Sequence, residues 1–387
     1  LAVALAVAAI PAGLPIVVTV ALAIGVHRMA KREAVIRHLP AVDTLGSCTV
    51  IVSDKTGTLT QNRMGVAELY AQDQQYSFSG DVRSDEGRLL INNHPVNAED
   101  HPVARQTLAI GMLCNDATLR ATTAESDSKG HEEQSNDNEP YEVTGDPMEQ
   151  ALLFGALKAG LDPDTLRQAY PRTDEIPFKT ENRFMATIHD ITDHDGPFTG
   201  EGPLVLIKGA PERILEMCTS MRTAEGNAEL EEDAVMDQMQ AMAGRGLRVL
   251  AMAMGHGEQA VDSIHSDEPS EMTFLGLQGL IDPPRDTARQ SVDHAHQAGI
   301  RVMMVTGDHA RTGAAIAHQV HVDQPARAGI FMNEDDDATE QSSDASPTAE
   351  EELPETTTGK DITELDDAAL DDRLRRTNVF TRVKPTQ

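Results

Sequence analysis

Asp54-Lys55-Thr56-Gly57-Thr58-Leu59-Thr60 concentrates the reactive groups of this chain. It follows an apolar run, Thr49-Val50-Ile51-Val52, that reads as a buried parallel strand. A carboxylate is thereby placed at the C-terminal end of a strand, the edge at which open α/β sheets bring reacting groups and ligands together. Asp54 is a candidate nucleophile toward phosphorus, with Lys55 lowering its negative charge and Gly57 letting backbone amides approach a phosphate. For a lone Asp-x-x-Gly, a strand-end Asp capping a turn would be the better reading. Thr306-Gly307-Asp308 repeats the logic after an apolar strand over residues 301–305. There a hydroxyl and a carboxylate can meet a phosphoryl group and the nucleotide ribose or its metal.

Several elements must hold these groups. A chain of 387 residues is long enough for two or three domains. Its 63 acidic and 32 basic residues leave a formal charge of −31, the wrong sign for binding a phosphate backbone, so no nucleic-acid partner is expected. With 3% aromatics and no Trp, base-stacking platforms are not expected either. Cys48, Cys114 and Cys218 are odd in number and far apart, which suggests a reducing compartment without a disulfide frame or zinc site.

Residues 1–26 carry no charge. As one helix they would reach about 39 Å, enough to cross a hydrocarbon core of ~30 Å. A transmembrane helix is predicted there, and His27, Arg28, Lys31, Arg32 and Arg37 place everything after about residue 27 in the cytoplasm. There is no initiator Met or basic leader, and the run is too long for a signal peptide. Pro11-Ala12-Gly13-Leu14-Pro15 interrupts the helix at mid-membrane, where freed carbonyls, such as those of Ala9 and Ile10, either coordinate an ion or accompany a simple proline kink.

Residues 63–280 read as an α+β insertion. Strands are predicted at 68–70, 204–207 and 248–252, and helices at 104–113, 147–159 and 212–217. Lys208-Gly209-Ala210-Pro211-Glu212 puts a cation and a small-residue turn after a strand, where backbone can lie close to a planar ligand. Phe178 has the right chemistry to stack on a purine, against the competing reading of core packing. Surface solubility competes for Lys208 and a solvated helix face for Glu149. Ile281-Asp282-Pro283-Pro284-Arg285 is a stiff segment suited to a hinge, followed by a helix over 286–298. Residues 329–359 are acidic and of low complexity, read as a disordered surface loop. Residues 377–385 read as a strand leading into a turn.

The Asp-Lys-Thr-Gly-Thr-Leu-Thr run resembles the phosphorylation signature of the P-type ATPases, ion pumps of the haloacid-dehalogenase-like superfamily. Residues 1–15, Met29-Ala30-Lys31-Arg32 and Leu39-Pro40 are similar to the fourth transmembrane helix and stalk of calcium-pump-like members, and Thr306-Gly307-Asp308 to their second phosphate-binding motif. The resemblance implies an α/β fold. An incomplete haloacid-dehalogenase-like Rossmannoid phosphorylation domain (residues 47–62 and 281–387) would carry an inserted nucleotide-binding domain (63–280), a stalk (27–46) and one N-terminal transmembrane helix (1–26).

It also implies site residues. Asp54, Lys55, Thr56, Thr306, Gly307 and Asp308 would be catalytic, with Asp54 and Thr56 at the magnesium. Glu149 and Phe178 would contact adenine, Lys208 and Gly209 would line the pocket, and Arg248, with Arg183, would hold the phosphate tail; Arg382 is placed with the cofactor-binding residues. Ala9, Ile10, Pro11, Ala12 and Pro15 would line the ion pathway. Two departures stand out: Ala12 occupies a position that is usually Glu in calcium and sodium pumps, and Thr180 one that is often Arg. The implied function is ATP-driven cation transport in the cell membrane through an aspartyl-phosphate. ATP, Mg2+, the cation, lipid, and the pump's other transmembrane helices and actuator domain are the implied partners. The family's essential lysine and its Gly-Asp-Gly-x-x-Asn-Asp segment would fall beyond Gln387, so this polypeptide is expected to bind ATP but to phosphorylate poorly. A soluble haloacid-dehalogenase-type phosphatase and a non-catalytic nucleotide-binding membrane protein are the alternatives.

Overall fold

Two sheets carry the chemistry-bearing residues in the computed structural model, which describes residues 14–32, 34–38, 41–121, 141–193, 195–265, 269–308, 310–324 and 354–383. The smaller has the order Val50–Asp54, Arg301–Thr306, Val379–Thr381, Thr356–Thr358, with every pair parallel. Parallel pairing requires crossovers rather than tight turns. The helices Asp286–Gln297 and Ala310–Gln319 supply apolar cover, with Ala288, Val292, Ile316 and Ala317 packed against Val302 and Met304. Register pairs Asp54 with Val305 and Thr306 with Thr381, so the ends of three strands converge on one sheet edge.

Two expectations are corrected in this sheet. The strand leading to Asp54 is parallel but not buried: Val50, Ile51 and Val52 are 42%, 40% and 63% exposed. Among the described residues it is an edge strand, so it has a neighbour on one side only. The tract over 329–359 is not loop to its end, because Thr356–Thr358 pairs with Val379–Thr381. Three β-branched threonines fit a pleated surface well enough to form a strand beside an acidic run. Residues 329–353 lie outside the described residues.

The larger sheet has 11 strands among the described residues and runs in sequence from Gly65–Ala71 to Met272–Ile281. Its interior strand Leu204–Gly209 is buried throughout, lying between Phe184–His189 and Arg248–His256. Alternation sends Leu204 and Leu206 to one core and Val205 and Ile207 to the other, as a sheet covered on both faces requires. The helices Pro102–Leu113 and Pro147–Lys158 cover the first face and Glu232–Gly244 lies over the second. Pro102 and Pro147 stand at first helical positions, where a missing N–H costs nothing.

His189 is fixed in this core as a neutral ring. Its Nδ1 lies 2.9 Å from the Tyr170 carbonyl oxygen and its Nε2 2.8 Å from the Thr187 hydroxyl. Burial holds its pKa down at about 4. The unfolded chain therefore binds a proton near pH 6.5 that the folded chain refuses until about pH 4. Stability should fall as pH drops through that window, by at most about 1.4 kcal/mol per pH unit. Acid titration of unfolding, with His189→Gln flattening the slope, checks this; an unaltered slope would clear His189.

The two crossings between the sheets are tied together. Thr60 bridges Pro284 in antiparallel fashion, the Gln61 amide donates to the Pro283 carbonyl at 3.0 Å and the Arg285 amide to the Leu59 carbonyl at 2.9 Å. At the N-terminal side, Leu14–Ala30 is a helix of 17 residues, about 25 Å long. No helix among the described residues is long and apolar enough to cross a membrane. The helix does not stop at Val26 but continues through His27 and Arg28, and the Arg28 charge suits its C-terminal dipole. Ala9, Ile10, Pro11 and Ala12 lie outside the described residues.

Candidate functional site

Asp54 ends its strand with extended backbone and a side chain that accepts the Thr56 amide at 3.3 Å. The chain then turns back through Gly57, whose φ of +74° is open to glycine at no steric cost. Thr60 closes the loop: its hydroxyl donates to Asp282 at 2.6 Å, lies 3.1 Å from the Lys55 carbonyl, and accepts the Gly57 amide at 3.3 Å. The carboxylate of Asp54 is left exposed at the tip of this frame.

Lys55 does not serve Asp54 directly. Its ammonium turns inward, 5% exposed as a residue, to pair with Asp308, while Asp282 stands 4.0 Å away. The reason is geometric: successive side chains leave a strand end in opposite directions, so neighbours in sequence point apart. The expected easing of Asp54 by Lys55 is therefore replaced by an ion pair between the strand-end loops. Thr306 is buried and its oxygen accepts the Asp308 amide at 3.1 Å. Arg382, at φ +52°, donates its amide to the Asp308 carbonyl at 3.2 Å. Asp54, Lys55, Thr56, Thr306, Gly307, Asp308 and Arg382 thus share one sheet edge.

Asp282 is the residue that sequence reasoning missed here. Its carboxylate accepts from the Thr60 hydroxyl and from the Arg63 amide at 3.1 Å, joining the outgoing and returning crossings. The only sequence signal was an acid inside a two-proline segment, which carries no information about a partner 222 residues away.

A second group forms on the large sheet. Asp146 caps the helix Pro147–Lys158 by accepting the Met148 amide at 2.9 Å. Glu149 therefore lies in the first turn, where a negative charge is favoured. Its carboxylate pairs with Lys208 at 2.7 Å and accepts the Asp116 amide at 3.3 Å. Lys208 is 7% exposed, so the surface-solubility reading fails for it, and the solvated-face reading fails for Glu149. Asn115 and Cys114, also unforeseen, lie beneath the pair: the Asn115 amide donates to the Glu149 carbonyl at 2.9 Å, and burial pushes the Cys114 thiol up.

Gly209 follows Lys208, and a Cβ there would come within 2.5 Å of the Arg183 carbonyl oxygen and 2.8 Å of Phe184 Cβ. Strand-to-strand approach alone accounts for this glycine. Arg183 holds φ +58° and its carbonyl accepts the Ala210 amide at 3.0 Å; its side chain is exposed. Phe178 is 59% exposed, which removes the core-packing reading. Arg248 is exposed at the first position of its strand. Among the described contacts, none joins Phe178 or Arg248 to the Glu149–Lys208 pair, and none joins this group to Asp54.

Residues 104–287 match the family described as P-type ATPase, cytoplasmic domain N. The chain is 43% identical over 83% of its length to Cation-transporting ATPase pma1 of Synechocystis, covering 34% of that protein. It is 38% identical over its whole length to Probable cation-transporting ATPase F of Mycobacterium tuberculosis, covering 38% of it. It is 36% identical over 83% of its length to the human Calcium-transporting ATPase type 2C member 1, covering 31%. The chain spans about a third of the length of these relatives.

Proposed function

The chain belongs to the P-type ATPases, and we propose that it is the phosphorylation and nucleotide-binding segment of an ATP-driven cation pump. The observation that carries this reading is the exposed Asp54 carboxylate on a parallel-sheet edge, framed by buried Lys55 and Thr306 and by half-buried Asp308. In the whole pump an Asp54 oxygen attacks the γ-phosphorus of ATP in line, the bond to the β-phosphate oxygen breaks, and ADP departs. The acyl phosphate formed is then hydrolysed by water, restoring the carboxylate. Thr306 lies on the adjacent strand and is suited to bind the phosphoryl oxygens. Lys55 is committed to Asp308, so it fixes the geometry of the loops around Asp54.

Magnesium ordinarily takes one or two carboxylates and completes its shell with water and substrate phosphates. Asp54, with oxygen from Thr56, fits that requirement, and the ion would neutralise charge on the transferred group. On the large sheet, Lys208 and Glu149 form the floor of the adenine pocket and Phe178 its exposed stacking face. Arg183 and Arg248 reach the phosphate tail. The paired crossings at Thr60 and Pro284 form the hinge through which the two groups approach, and the membrane helices of the pump would convert that movement into access for the cation. Relatives named as calcium-transporting make calcium the first cation to assay. Ala12 removes one carboxylate from the expected ion pathway.

Peptide mapping of the full-length pump trapped during turnover tests this proposal. The acid-stable phosphoryl group is expected on Asp54, and its location elsewhere, or no adduct at all, removes the reading. For the pocket, Phe178→Ala should weaken ATP binding about tenfold, the worth of one aromatic–base stack. Because the ring is exposed, the unfolding midpoint should not move. Titration of the purified chain with ATP checks both, and an unchanged affinity excludes Phe178.

A further inference from the structure

A cleft of about 220 Å³ opens on the large sheet, away from the Glu149–Lys208 pair. Gln106, Arg222, Asn227, His256, Glu271 and Thr273 line it, over a floor that includes buried Met254 and Phe198. The helix Pro102–Leu113 connects the two places. Asn115, just past its end, touches Glu149, whereas Gln106 lies about 13 Å back along the helix axis. The cleft is thus distinct from the nucleotide pocket.

Gln106 is the informative residue. It is 9% exposed, its Nε2 donates to the Pro197 carbonyl at 2.8 Å, and its Oε1 is buried with no hydrogen-bond partner. A buried acceptor left unsatisfied costs on the order of 1–3 kcal/mol, so such atoms commonly mark a place for a donor. The charges around it are arranged in a complementary way. Arg222 donates to the Asn227 amide oxygen at 2.9 Å, and no ion pair is described for Arg222 or Glu271, although both line the cleft. The other Asn227 amide atom donates to Thr273 at 3.3 Å, fixing the rim. His256 adds no charge at neutral pH, since burial of its ring and the nearby Arg222 hold its imidazole below the usual range, although the residue as a whole reaches solvent.

One cation, one carboxylate and one buried acceptor in a small space define a ligand of matching polarity. We propose that this cleft binds a small zwitterion of the free amino acid class, its carboxylate on Arg222 and its ammonium shared between Gln106 Oε1 and Glu271. A lone anion would leave Gln106 and Glu271 unanswered. A quaternary ammonium would leave Gln106 without a donor. The volume lies below the ~300 Å³ at which drug-sized pockets begin, which suits a ligand of this size and excludes a nucleotide.

Calorimetric titration of the purified full chain with individual free L-amino acids, and with acetate and methylammonium as single-charge probes, tests the assignment. At least one amino acid should bind saturably, and neither single-charge probe should match it. Arg222→Gln and, separately, Gln106→Met should each weaken that binding about tenfold or more, the loss of one charge-assisted hydrogen bond. Arg222→Gln should leave ATP affinity unchanged. Since Gln106 is buried, its variant is to be read only if its circular dichroism and unfolding midpoint match those of the parent, whereas Arg222→Gln stands by itself. No binding by any amino acid, equal binding of acetate, or full affinity in Arg222→Gln would overturn the proposal.

Discussion

Full-length pump carrying Asp54→Asn should give no acid-stable label from γ-labelled ATP while still binding ATP. The amide is nearly isosteric with the carboxylate and can still accept the Thr56 amide that the carboxylate now accepts at 3.3 Å. What it lacks is the anionic oxygen proposed to form the acyl phosphate, and the loss should therefore be complete rather than graded. Because Asp54 stands exposed and Lys55 is paired with Asp308 instead, removing its charge leaves no buried ion without a partner. The variant should fold with an unchanged unfolding midpoint. Quenched labelling followed by acidic electrophoresis is the measurement, and label at the parent's level would end Asp54's candidacy.

Asp282→Ala should produce the largest structural effect. This carboxylate holds the Thr60 hydroxyl at 2.6 Å and the Arg63 amide at 3.1 Å, and Thr60 is fully buried. Losing two hydrogen bonds to a charged acceptor should cost about 3 kcal/mol. The effect should be local, because it falls where two crossings are joined rather than in either core. Hydrogen exchange over residues 59–63 should accelerate by about two orders of magnitude, at 1.4 kcal/mol per factor of ten. Asp282→Asn keeps one acceptor of the two and should recover only part of the protection. If the alanine variant exchanges at the parent's rate, the tie between the crossings is not held by this side chain.

The two variants separate chemistry from architecture at one sheet edge. Asp54 lies at the tip, where the proposed phosphoryl transfer would take place; Asp282 lies behind it and ties Thr60 to the Arg63 amide. Lys55 links the halves through Asp308, a contact across 253 residues of sequence. A substitution that frees Lys55 would disturb the loop and the charge near Asp54 at once.

What the sequence determined by itself is local. The seven-residue run at Asp54, the Thr306-Gly307-Asp308 turn, the strand at 204–207 and the helices at 104–113 and 147–159 are each set by neighbours a few residues away, and each stands within two residues of where the residues indicated. Their meaning in three dimensions was settled elsewhere. Whether the strand before Asp54 was buried depended on its place at the sheet edge, which no property of Val50, Ile51 or Val52 encodes. Thr356–Thr358 became a strand only because Val379–Thr381 offered it hydrogen bonds. Asp308 rather than Asp54 took the Lys55 ammonium, and Lys208 left the solvent for Glu149 across 59 residues. Hydrogen bonds and ion pairs between distant segments depend on which strand ends the topology brings together, and a buried charge takes whatever partner that topology leaves within reach.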